Sequence, residues 1–81
     1  MGEIFKYLMR NVTVKNKIAE LRKEKGLSQK ELAKILGYSV DVMFFIERGV
    51  ALPTIKGAYL ISKFFDKPIE EIFIFEENMP L

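Results

Sequence analysis

Apolar residues recur along this chain at the three-to-four-residue spacing of amphipathic helices, and turn-forming residues break that pattern at short intervals. Ile18 and Leu21 stand among alternating charges, which predicts a helix over 16–25 with Asn16 as N-cap. Gly26 is its expected C′ residue, and Leu27 behind it supplies the hydrophobic contact of a helix end. Ser28-Gln29-Lys30-Glu31 forms a capping box, in which serine and glutamate each satisfy an orphan amide of the other. It opens a helix over 28–36 that is buried through Leu32, Ala33 and Leu36 and closes at Gly37. Ser39 caps a third helix, 39–48, which Gly49 ends. Pro53-Thr54 starts a fourth, 54–65, where Ile55, Ala58, Tyr59, Ile61, Ser62 and Phe65 keep helical spacing. Asp66-Lys67-Pro68 stops it, and Pro68 suits the first turn of a fifth helix, 68–73.

These five helices are expected to pack around Ile18, Leu21, Leu32, Leu36, Met43, Ile46, Ile55, Ala58, Ile61, Phe65, Ile69 and Ile72. Val40, Val42, Phe44 and Ile46 alternate as in a strand, but a strand would forfeit the Ser39 cap and separate Met43 from Ile46. Packing is expected to override that weak local preference. Val12-Thr13-Val14 and Ile72-Phe73-Ile74-Phe75 suggest a two-stranded ribbon between the termini, which alone would be marginal. Residues 1–10 leave helix and strand both open: Ile4, Tyr7 and Leu8 share a helical face, whereas Phe5 and Tyr7 also suit a strand.

The segment from Ser28 to Gly49 has helix-turn-helix spacing, two short helices joined by a tight glycine-containing turn. The second helix of that motif enters the DNA major groove. Here it reads Val40-Asp41-Val42-Met43-Phe44-Phe45-Ile46, with no basic residue and no amide.

Composition narrows the chemistry. Eighty-one residues make one small domain, 1–81, with a single core. The absence of cysteine leaves no disulfide or thiolate metal site and fits a reducing compartment, and the absence of histidine removes the commonest general base and metal ligand. Glu20, Glu24, Glu31 and Glu47 read as solvated helix faces or caps, and Lys63 and Lys67 as ordinary surface charges. Without a nucleophile–base pair or a glycine-rich phosphate loop, no enzyme, cofactor, metal or small-molecule substrate is expected. No run approaches the roughly 20 apolar residues of a membrane span, and the N-terminus lacks the h-region of a signal peptide, so a soluble, cytoplasmic protein is expected. The net charge of +2 is mild, and the basic residues concentrate at 15–34 rather than near the third helix.

Residues 16–73 resemble the phage-repressor/Cro type of helix-turn-helix domain, flanked by an extension at 1–15 and a tail at 74–81. The matching residues are Ile18, Leu21, Arg22, Gly26, Leu27-Ser28-Gln29, Glu31-Leu32-Ala33, Leu36-Gly37, Ser39, Ile46-Glu47-Arg48-Gly49, Pro53, Ala58, Ile61 and Pro68-Ile69-Glu70-Glu71-Ile72-Phe73. The resemblance implies an all-α, five-helix fold and, with such a C-terminal extension, a β-ribbon and a dimer. It also implies that Gln29 touches phosphate or a base, that Val40, Asp41, Val42, Phe44 and Phe45 occupy reading positions, and that the 50–52 loop and Lys56 meet phosphate.

Valine and phenylalanine can at best touch a thymine methyl, and Asp41 can accept from a cytosine amino group while the phosphates repel it. Met43 and Ile46, with Tyr38, supply the inward face, so Phe44 is expected to be exposed, and Phe45 could fall on either side. With Ala51, Leu52 and Leu60 an apolar patch is expected, the kind of surface that marks a protein interface. The expectation drawn is a protein-binding scaffold, arising by divergence in an antitoxin-like or adaptor relative or by deliberate redesign. Its contact residues would be Val40, Asp41, Phe44, Phe45, Leu52 and Gly57. Gly57 enters because a mid-helix glycine costs about 1 kcal/mol against alanine and could admit a partner's approach. The alternative is a dimeric, sequence-specific DNA-binding transcriptional regulator using Gln29, Lys30, Ser39, Arg48 and Lys56. Homodimers through Phe44/Phe45 or through the Ile72–Phe75 edge are compatible with either.

Overall fold

A computed structural model describes residues 11–78. The order is β1 (Asn11–Asn16), α1 (Ile18–Glu24), α2 (Gln29–Leu36), α3 (Val40–Glu47), α4 (Ile55–Phe65), α5 (Ile69–Ile72) and β2 (Phe73–Asn78). All five predicted helices are present, each within a few residues of its expected ends. The ribbon between the termini is also present, β1 and β2 pairing antiparallel from Asn11 opposite Asn78 to Asn16 opposite Phe73. The question of residues 1–10 lies outside the described residues.

Local chemistry sets the helix ends. The N-cap of α1 is Lys17 rather than Asn16, which ends β1 one residue earlier; from there the Asn16 carboxamide oxygen accepts from the Ile18 amide at 3.0 Å, and its nitrogen donates to the Ile46 carbonyl at 2.9 Å. One side chain thus joins the end of β1 to the start of α1 and the end of α3. At α2 both halves of the capping box form: Glu31 N–H donates to Ser28 Oγ at 3.0 Å and Ser28 N–H to Glu31 Oε1 at 2.9 Å. Gly37 closes α2 with φ at +79°, a left-handed conformation that a Cβ would strain. Ser39 then caps α3 by accepting from Val42 N–H at 3.2 Å.

The largest fully buried side chains come from every helix: Ile18 on α1, Leu32 on α2, Met43 and Ile46 on α3, Ile61 on α4 and Ile72 on α5. Segment 40–47 is helical, as expected: the Met43–Ile46 face seals the core and outweighs the strand-like alternation. Three further expectations need correction. Ile55 is 92% exposed rather than buried. The inward stripe of α4 is Gly57, Ile61 and Phe65, and Ile55 sits two residues before Gly57, roughly 200° around the helix. Ala58 and Ile69 are half-buried against the core rather than inside it. Phe73 begins β2 instead of ending the fifth helix, and it is buried there.

Candidate nucleic-acid interface

α2 and α3 form the helix-turn-helix, joined through Gly37-Tyr38-Ser39, with Tyr38 N–H donating to the Ala33 carbonyl at 2.9 Å. A polar knot holds the pair. Arg22 on α1 donates to Glu47 on α3 through Nε at 2.8 Å and Nη2 at 3.2 Å, and through Nη1 to the Leu27 carbonyl at 2.9 Å. Gln29, the first residue of α2, donates its amide to Glu47 Oε1 at 3.2 Å. The paired side chains are only 13% and 5% exposed. Paired, bidentate and drawing further hydrogen bonds, this is a geometry in which a shielded ion pair is retained. It fixes the start of α2 against the end of α3. Glu47 is therefore a buried anchor and not the solvated glutamate expected from the sequence. Its partner lies 25 residues away, beyond any local periodicity.

The outward face of α3 carries Val40, Asp41, Val42, Phe44 and Phe45, all exposed. The Phe44 and Phe45 rings meet edge to face, centroids 5.5 Å apart. The Arg48 guanidinium lies over the Phe44 ring, 5.3 Å from its centroid, a favourable cation–π position. Lys30, Ser39, Arg48 and Lys56 are exposed, and Gln29 is half-buried by its bond to Glu47.

The structure divides the apolar patch expected from the sequence. Leu52 is exposed but lines a separate groove of about 290 Å³ with Val14, Pro53, Ile55, Phe73 and Phe75, to which α3 contributes nothing. Ala51 and Leu60 pack partly against the core. Gly57 is buried, and a Cβ there would overlap the hydroxyl of Tyr38. The close approach that requires glycine is therefore made by this chain's own turn, not by a partner. Among the described residues no helix is long and apolar enough to cross a membrane.

A helix-turn-helix family model matches residues 18–72. Over 65 residues the chain is 43% identical to an HTH-type transcriptional regulator of Methanocaldococcus jannaschii, covering 80% of this chain and 98% of that one. An HTH-type transcriptional regulator of Archaeoglobus fulgidus is 39% identical, covering 80% and 92%. The regulator YgzD of Bacillus subtilis is 36% identical, covering 80% and 98%. The chain belongs to the helix-turn-helix family. These relatives overturn the expectation of a protein-binding or redesigned scaffold: they are named as transcriptional regulators, which favours the DNA-binding alternative. An apolar outward face on α3 is not by itself a sign that the partner has changed class.

Proposed function

We propose that the protein is a DNA-binding transcriptional regulator that acts as a dimer. The observation that carries this reading is the locked pair α2–α3, held by Arg22, Glu47 and Gln29, with Val40, Asp41, Val42, Phe44 and Phe45 of α3 open to solvent on either side of the buried Met43. α3 lies in the major groove, its first turn nearest the bases. Ser39, Lys30, Arg48 and Lys56 approach phosphates, as does Gln29 through the amide group that Glu47 orients. The groove around Leu52, Ile55 and Phe75, to which α3 contributes nothing, receives a second copy and leaves both α3 helices free for DNA.

Titration of a fluorescent 20-bp duplex against the protein at several salt concentrations tests the first part. Affinity is expected to fall steeply with salt, with a slope of about −0.9 per phosphate neutralised. Binding no tighter than ~10⁻⁴ M at low ionic strength would remove this reading. Sedimentation across a concentration series tests the dimer, which Ile55→Asp is expected to dissociate and Phe44→Asp to leave intact.

A further inference from the structure

Given that α3 is the helix that meets DNA, a premise taken from the proposed function, its side chains restrict what can be read. Met43 and Ile46 point inward, which turns Asp41, Phe44, Phe45 and Arg48 outward and leaves Val40 beside them in the first turn. Guanine is read in the major groove by Arg or Lys at its O6 and N7, and adenine by a bidentate Asn or Gln. From Val40 to Glu47 there is no Arg, Lys, Asn or Gln. Glu47, the only polar residue there besides Asp41, is engaged by Arg22 and Gln29. Gln29 donates to Glu47, and Arg48 stands at the far end of α3 over the Phe44 ring. What the outward face offers the bases is a set of apolar surfaces around one carboxylate.

Those two chemistries match the two pyrimidines. Thymine alone projects a methyl group into the major groove, and cytosine projects an amino donor with no acceptor beside it. We infer that this protein recognises pyrimidine-rich half-sites: Val40, Phe44 and Phe45 contact thymine C5-methyl groups, and Asp41 accepts from the N4 amino group of a cytosine. The carboxylate also selects against guanine at that position of the contacted strand, where O6 would replace the amino donor. Lys30, Arg48 and Lys56 supply affinity without sequence information.

The test begins with selection of duplexes from a random 20-bp library. The recovered duplex is then resynthesised with deoxyuridine in place of thymidine, which removes the methyl groups and keeps every base-pairing group. The inference expects binding to weaken tenfold or more, and expects the triple variant Val40→Ser, Phe44→Ser, Phe45→Ser to bring the thymine-to-uracil ratio near one. Circular dichroism checks that this variant retains its helices. At one position Asp41→Asn is expected to shift the selected base from cytosine to adenine, because asparagine makes the bidentate adenine contact. Equal binding of thymine and uracil duplexes by the native protein, or a selected site dominated by guanine contacts, would overturn the inference while leaving DNA binding intact. A library that yields no bound duplex overturns the DNA-binding reading itself, and this inference with it.

Discussion

α2 and α3 are the same length, eight residues, and each is capped by a serine, yet they present opposite surfaces. α2 buries Leu32, Ala33 and Leu36 and turns Lys30, Glu31 and Lys34 to solvent, with Ile35 the one large apolar side chain it exposes. α3 buries only Met43 and Ile46, and four of the residues it exposes are valine or phenylalanine. α3 is held by its serine cap, its narrow inward face and the Glu47 knot at its end, none of which involves the outward side chains. The outward face of α3 contributes little to the fold, so its composition is free to follow what it contacts.

The two helices share one support, and removing it gives the largest expected effect. Glu47→Ala leaves the Arg22 guanidinium shielded and unpaired and frees Gln29, so a loss of about 3 kcal/mol is expected in urea denaturation. A loss below about 1 kcal/mol would mean that the pair behaves like an exposed one. The turn between the helices is tested by Gly57→Ala. The gain in helix propensity, about 1 kcal/mol, is set against an overpacking cost of about 1–3 kcal/mol where the new methyl displaces Tyr38. A net loss of about 1 kcal/mol is expected by the same measurement, and a net gain would show that Tyr38 moves aside freely.

The smallest effect separates the two caps. Hydrogen bonds from the Ser28 backbone amide, and secondarily from its side chain, hold the Glu31 carboxyl below the usual glutamate range. With its folded value depressed, Glu31 contributes to stability above that range, and the contribution is lost as pH falls through the folded value. The corresponding position in α3 is Val42, which has nothing to titrate. Amide exchange or chemical shifts at the first turn of α2 are expected to respond to acid, and Glu31→Gln is expected to abolish that response. An acid response in the first turn of α2 that survives Glu31→Gln would contradict the assignment.

The helices and their serine caps were legible because each depends on residues three or four apart: Ser28 with Glu31, Ser39 with Val42, Met43 with Ile46. Exposure of Phe44 followed from the same spacing, since Met43 and Ile46 had taken the inward face. What the sequence hid was long-range. Glu47 reads as solvated until Arg22 is brought across from α1, and Gly57 reads as an opening until Tyr38 is seen to fill it. Ile55 keeps helical spacing with Ala58, but the stripe that α4 buries runs through Gly57, Ile61 and Phe65. The partner's class was hidden for a chemical reason. An exposed phenylalanine presents the same apolar surface to a protein side chain and to a thymine methyl.

The central claim is that the outward face of α3 meets DNA while the Leu52–Ile55–Phe75 groove does not. Titrating ¹⁵N-labelled protein with a 20-bp duplex at low salt, and following the backbone amides by NMR, tests it most directly. The account predicts the largest shifts at residues 39–45, with smaller ones at Gln29, Lys30 and Lys56 and little change at Leu52, Ile55 and Phe75. Shifts concentrated at the groove with α3 unchanged, or no shifts anywhere, would contradict it.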